Sequence, residues 1–163
     1  MAPVVVHKLG FLPQLAKPID RGIRFWDEPL FGKSKTWRGF IIGVLTAMFV
    51  SYMQFIVWAL GFVHTMPINY TMIDPLTFGL LGGIGALGGD LLKSFAKRRF
   101  RIPAGGPWPV FDQLDFVIGY FALTALVVPW NNWRFVIAVV FTLILHPLTN
   151  IIAYFFRIKN VWW

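Results

Sequence analysis

Three aspartates and a dense run of cations share one stretch, Gly88 to Asp115, which reads GGDLLKSFAKRRFRIPAGGPWPVFDQLD. It holds Asp90, Asp112 and Asp115 of the seven acidic residues, and Lys93, Lys97, Arg98, Arg99 and Arg101 of the fifteen basic ones. Asp90, Ser94, Lys97 and Arg98 or Arg101 are spaced by three or four, so a helix sets them on one face with the anion at one end. Asp112 and Asp115 share a face in the same way. Three carboxylates are hard oxygen ligands and suit Mg2+. With no His or Cys in the stretch, they do not suit zinc. Each also has a structural explanation. Asp90 can pair with Lys93 or Ser94, and Asp112 can be the N-cap of a helix with Asp115 at N3.

A second basic run, FGKSKTWRG from Phe31 to Gly39, brings Lys33, Lys35, Thr36 and Arg38 to the start of a helix, where anions are favoured. It is not a Walker phosphate loop, because Asp27 stands where the first glycine belongs. These cations are also ordinary membrane anchors. Carboxylates that hold a metal, together with cations that hold a polyphosphate, point to phosphoryl or nucleotidyl transfer.

The elements that position these groups are membrane helices. The chain is 57% hydrophobic and only 13% charged, against about 25% charged in a soluble domain. Its mean hydropathy is +0.65. The expected fold is an all-α integral membrane protein, one domain over 1–163, with the site built on basic loops. Residues 1–37 form a polar and interfacial segment, with a short interfacial helix expected near 23–31. Spans are expected at about 38–62, 72–92, 113–130 and 133–156, joined by a loop at 93–112. The second span is rich in glycine, and Gly79/Gly83 and Gly85/Gly89 fit small-xxx-small helix packing; a backbone opened around a ligand is the alternative. Its uncharged part, 75–89, rises only about 22 Å, which places Asp90 near the hydrocarbon boundary. His146 and Asn150 sit within the last span, where Pro147 should kink the helix.

Residues 1–38, 93–112 and 157–163 hold fourteen of the fifteen Lys and Arg. The positive-inside rule makes that side cytoplasmic, with the cell membrane as the location. A net charge of +8 first suggests nucleic acid or acidic lipid. The cations are spread over membrane-proximal loops, so nucleic acid is not the expected partner. Cysteine is absent, which excludes disulfides and thiolate sites.

The pattern Gly89-Asp90-x3-Ser94-x2-Lys97-Arg98, then Gly105-Gly106-Pro107, then Asp112-x2-Asp115, resembles the signature of the phosphatidate cytidylyltransferase family. GGPWPVFDQLDF and FGKSKTWRG resemble more closely its archaeal branch, the CDP-archaeol synthases. The resemblance spans roughly 18–160. It implies a Mg2+-dependent CTP:2,3-di-O-geranylgeranyl-sn-glycerol-1-phosphate cytidylyltransferase. Its partners would be CTP and an isoprenoid glycerol phosphate lipid within the membrane. It makes Asp90, Asp112 and Asp115 the metal-holding and catalytic carboxylates, and Lys97 a catalytic cation. Ser94, Arg98, Gly105 and Gly106 become phosphate contacts, with Lys33, Lys35, Thr36 and Arg38 contacting nucleotide or lipid phosphate. Two departures stand out. The bacterial signature has a Lys-Asp pair where this chain has Arg101-Ile102-Pro103. The archaeal branch also begins with a further apolar helix, giving five, and none precedes Pro3 here.

Two other classes compete. A small transporter for an anionic solute would use the glycine-rich helix, His146 and Asn150. A structural lipid-binding protein would use the cations alone and has no use for three clustered carboxylates.

Overall fold

The computed structural model describes residues 12–62, 68–103 and 106–157. Gly105 and residues 63–67 of the second loop lie outside this set. Four helices dominate, each close to a predicted span: α1 (Trp37–Ala59), α2 (Pro75–Arg99), α3 (Phe111–Thr124) and α4 (Asn132–Phe155). α1, α2 and α4 have the length and apolarity to cross a membrane. α3 has 14 residues and rises about 21 Å.

Local chemistry sets most helix starts. Thr36 caps α1 by accepting from Gly39 N at 3.2 Å. Asp74 caps α2 by accepting from Thr77 N at 2.6 Å, with Pro75 at the first helical position. Asn131 caps α4 by accepting from Arg134 N at 2.9 Å. α3 differs. Val110, at a φ of 69°, occupies its cap position and no side chain caps it. Asp112 is therefore in the first turn and is not the N-cap. α2 also runs past the predicted end at 92 to Arg99, so the start of the predicted 93–112 loop is helical. Lys97, Arg98 and Arg99 fill its last turn, where cations suit the helix dipole.

α2 lies at the centre because its glycines serve two neighbours. Towards α1, a methyl on Gly79 would sit 2.6 Å from the Met48 Cα, and one on Gly83 would sit 3.0 Å from the Val44 Cα. Towards α3, Gly85 faces the Gly119 carbonyl and Gly89 the Asp115 carbonyl, with no room for a side chain in either place. The glycines thus act in helix packing, and α2 is unbroken from Pro75 to Arg99.

The two ends of the bundle differ in character. At one, Phe78, Tyr70, Ile68 and Val128 are buried, with Phe55, Trp58, Tyr120 and Trp130 packed around them. Trp130 Nε1 donates to Thr124 Oγ1 at 2.9 Å, which leaves that hydroxyl fully enclosed. At the other end lie the charged groups.

Residues 23–31 are not a helix. Arg24–Phe25 (β1) pairs antiparallel with Glu28–Pro29 (β2), Arg24 opposite Pro29. Trp26 and Asp27 at the turn both have positive φ, as a two-residue hairpin with the natural strand twist demands. A helix would need negative φ at both, and only two residues separate Trp26 from Pro29.

Candidate active site

The loop before α1 is shaped by one buried carboxylate. Asp20, 5% exposed, accepts from Gly22 N at 3.1 Å, Phe31 N at 3.1 Å and Gly32 N at 3.0 Å. Ile19 N donates to the Lys35 carbonyl at 2.8 Å, and Trp37 N to the Lys17 carbonyl at 3.1 Å. These bonds tie 17–20 to 31–37 and aim Ser34 and Lys35 at α2. Burial by itself raises the Asp20 pKa, but the bonds from Gly32, Gly22 and Phe31 outweigh it and hold the carboxyl below its usual range. A lowered folded pKa means stability that is present above about pH 4 and is lost as pH falls through the folded value. Asp20→Ala should therefore speed amide hydrogen exchange at Phe31 and Gly32 at neutral pH. The difference from the parent protein should vanish in acid.

Lys35 then meets α2. Its ammonium forms an ion pair with Asp90 Oδ2. Asp90 also meets Lys93, one turn on, at 3.1 Å. Lys93 Nζ is the hub of the cluster, because it lies 2.7 Å from Asp115 Oδ2 and 3.3 Å from Asp112 Oδ1 as well. Lys97 completes the set, with Nζ 2.6 Å from Asp112 Oδ1 and 2.8 Å from the Gly106 carbonyl. Trp108 N donates to Asp112 Oδ2 at 2.7 Å and fixes that carboxylate from the loop side. Three carboxylates and three ammonium groups thus alternate in one connected, formally neutral network.

The close α2–α3 contact makes this possible. Gly89 lets the Asp115 backbone approach, and the Lys93 ammonium then lies between the two carboxylates, 3.1 Å from Asp90 and 2.7 Å from Asp115. The Asp115 side chain is 6% exposed and that of Lys93 15%. Carboxylates this close and this buried repel unless a cation lies between them. Asp115 Oδ1 is buried with no hydrogen-bond partner, an arrangement that costs about 1–3 kcal/mol and that a bound cation would relieve.

A cleft of about 310 Å³ opens beside the network. Ser34 and Lys35 line it from the loop, Lys93, Ser94, Lys97 and Arg98 from α2, and Gly106, Pro107 and Asp112 from the opposite side. His146 and Asn150 of α4 close the remaining wall. A smaller pocket of about 90 Å³ adjoins Asp90 and Lys35, with Phe40, Leu87 and Leu91 in its wall. Polar chemistry and an apolar approach therefore meet at Asp90.

The predicted residues separate into groups. Asp90, Asp112, Asp115, Lys35, Lys97, Ser94, Arg98 and Gly106 are brought together. The Ser94 hydroxyl itself donates to the Asp90 carbonyl at 2.8 Å. Thr36 caps α1 and borders the smaller pocket. Lys33 lines a different cavity on the far side of its turn. Arg38 is buried in the first turn of α1 and does not line the cleft. Gly105 is outside the described residues. Sequence reasoning noted Lys93, His146 and Asn150 but did not place them in the site. The i,i+3 spacing from Asp90 is the signal for Lys93. For the α4 pair there is only the oddity of polar side chains in an apolar span, and nothing in the sequence tells which neighbour they face.

The donor set fits a hard divalent ion: oxygen ligands from three carboxylates, one buried oxygen without a partner, and a single point towards which all three turn. That point holds the Lys93 ammonium, so the carboxylates are bridged through it. Among the described residues no three such side chains are gathered tightly enough to hold a metal by themselves. Entry of a divalent ion requires Lys93 Nζ to move aside.

This geometry has relatives. A family model described as CarS-like, CDP-archaeol synthase, matches residues 4–163. The CDP-archaeol synthase of Methanocaldococcus jannaschii is 39% identical over 147 residues, covering 90% of this chain and 83% of that protein. That of Staphylothermus marinus is 33% identical over 171 residues, covering 100% of this chain and 89% of its own. A solved structure of an intramembrane enzyme for archaeal membrane lipid biosynthesis superposes with a TM-score of 0.68. It has 30% identity and covers 91% of this chain and 89% of that one. The three long apolar helices and the charged cleft at one end of them are thus those of a multi-pass membrane enzyme, and the chain belongs to the CarS-like family, the CDP-archaeol synthases.

Proposed function

We propose that the protein transfers the cytidylyl group of CTP to 2,3-di-O-geranylgeranyl-sn-glycerol 1-phosphate, forming the CDP-activated lipid and pyrophosphate. The carrying observation is the neutral Asp–Lys network at the mouth of a cleft that has an apolar pocket beside it. The family name of the relatives supports the same reaction.

An oxygen of the lipid phosphate attacks the α-phosphorus of CTP. The bond from that phosphorus to the bridging oxygen breaks, and pyrophosphate leaves with the bond pair. A phosphate monoester is already a nucleophile, so no side chain has to act as a general base. The work of the protein is positioning and charge compensation. Lys35 lines the cleft from the loop before α1, and Lys97 and Arg98 line it from α2. These groups hold the phosphates. Phe40, Leu87 and Leu91 take the lipid side of the smaller pocket, so the lipid phosphate arrives next to Asp90. His146 and Asn150 bound the cleft from α4 and limit water access. Asp90, Asp112 and Asp115 would hold Mg2+, which when bound neutralises phosphate charge and polarises the phosphorus–oxygen bonds. With those carboxylates holding an ion, Lys93 would no longer be needed between them and would be available to substrate phosphate.

Among the described residues this end of the bundle carries every Lys and Arg except Arg134, so the active site faces the cytoplasm, where CTP is found. The transporter alternative fits less well. Among the described residues the charged side chains other than Asp74 and Arg134 cluster at one end, and the aromatic core around Phe78 is packed at the other.

Purified protein given CTP, Mg2+ and the isoprenoid glycerol phosphate should release pyrophosphate and form a CDP-lipid in equal amounts. Omitting the lipid or chelating the metal should stop both. A folded sample that produces neither overturns the proposal.

A further inference from the structure

A second cationic cavity lies outside the cleft. It measures about 630 Å³ and is lined by Lys17, Arg21, Arg24 and Lys33, with Asp20 as its one acid. Asp20 turns its oxygens onto three backbone N–H groups, so the carboxylate is already satisfied. Among the described residues none of the four cations forms a salt bridge, although Asp27 and Glu28 are close in sequence. In the cleft, by contrast, Lys35, Lys93 and Lys97 are all paired with aspartates. One turn separates the two sites: Lys33 lines the basin, and Ser34 and Lys35 line the cleft.

The basin is held in shape at some cost. Arg21 has a φ of 47°, in the left-handed region that side chains other than Asn, Asp and Gly avoid. Like charges gathered around one cavity repel, and a phosphate would relieve that repulsion.

What adjoins the basin indicates where the phosphate comes from. Ile23, Phe25 and Trp26 of the hairpin are 60%, 46% and 78% exposed, and they alternate with Arg24. Arg99, the last residue of α2, clamps this hairpin. It donates to the carbonyls of Phe25 and Pro29, the latter at 3.1 Å, and its guanidinium lies between the Phe25 and Phe95 rings at 5.2 and 4.9 Å. The hairpin is thus fixed where α2 leaves the membrane, about 13 Å beyond Asp90 along the helix. Exposed Trp, Phe and Ile beside Arg and Lys at that level suit the headgroup layer.

We propose that the hairpin and its basin form a docking site for the phosphate of an anionic membrane lipid, separate from the catalytic cleft. The aromatic tip lies in the headgroup layer, and Lys17, Arg21, Arg24 and Lys33 surround the lipid phosphate. The site depends on α2 crossing the membrane and not on the reaction assigned to the cleft.

The test titrates full-length protein in neutral detergent with phosphatidylglycerol brominated near the headgroup. Quenching is compared between the parent protein and Trp26→Phe to isolate the Trp26 component. That component should saturate with phosphatidylglycerol and be absent with brominated phosphatidylcholine. It should weaken about fivefold in Arg24→Gln and about 25-fold in Arg21→Asn/Arg24→Gln, and fade with added salt. Asn suits the left-handed backbone at Arg21, and these side chains are exposed, so thermal melting should not change. Equal quenching by both lipids, or no Trp26 component, overturns the proposal. So does saturable pyrophosphate binding that the double variant abolishes without any lipid component, which would make the basin a site for free phosphate. Cytidylyl transfer itself is read separately, so its failure leaves this result interpretable.

Discussion

Asp112→Asn should lower turnover by about 10²–10³-fold, the scale of losing one fixed electrostatic contact to a reacting phosphate, while helical content stays as in the parent. Asp112 is the carboxylate that joins the parts of the site. Lys97 reaches it from α2 at 2.6 Å, Trp108 N from the preceding loop at 2.7 Å, and Lys93 from the hub at 3.3 Å. An amide keeps the shape and can still accept from Trp108. It removes one negative charge from a neutral network, so the Lys97 ammonium loses its partner and a divalent ion loses a ligand. Asp115→Asn should lose turnover at least as fully, because its side chain is the more buried and meets Lys93 at 2.7 Å. Capping offers no competing account of Asp112, since Val110 holds the cap position of α3. Pyrophosphate release and far-ultraviolet circular dichroism on the same samples check both outcomes. Parent-like turnover in Asp112→Asn would make these carboxylates structural.

The second large effect is expected at a residue without a side chain. Gly119→Ala should destabilise the protein by about 1–3 kcal/mol and reduce turnover more than that loss of folded protein explains. A methyl there would run into the Gly85 carbonyl oxygen, with Gly89 N only 3.1 Å away. Both are backbone atoms of one regular helix, α2, so neither can yield by changing rotamer. The helices must separate, and Asp115, one turn before Gly119, moves away from Lys93 and Asp90. Gly88→Ala is the matched control. It lies in α2, between the two glycines that Gly119 faces, with nothing within 4 Å of the added methyl, and it should leave stability unchanged or raise it by up to about 1 kcal/mol. Thermal unfolding in detergent measures the first effect, and activity per folded molecule the second. If the two alanine variants behave alike, the close α2–α3 approach does not position the site.

The sequence by itself determined the class of the protein and singled out the charged residues of its candidate site. Long uncharged stretches can only be membrane helices, because every backbone group in hydrocarbon must be bonded within its own segment. Approximate helix positions followed from that, while the caps at Thr36, Asp74 and Asn131 became visible only in the structure. Asp90, Asp112 and Asp115 were legible because carboxylates beside apolar spans are expensive and rarely without purpose. Tertiary structure decided the rest. Whether Gly85 and Gly89 pack a helix or open a backbone depends on what lies opposite, and only the α3 contact answers that. Lys93 reads in the sequence as a local partner of Asp90, and it becomes a hub only because α3 carries Asp112 and Asp115 to it. Lys33 and Lys35 look equivalent two residues apart, yet a single turn held by Asp20 sends one to the basin and the other to the cleft. Residues 23–31 were misjudged as a helix, since their apolar side chains fit an interfacial helix and positive φ at Trp26 and Asp27 leaves no mark in composition. Composition and spacing constrain what lies along the chain. Which groups share a point in space is set by how closely two backbones can approach, and here glycines at α2 and α3 set that distance.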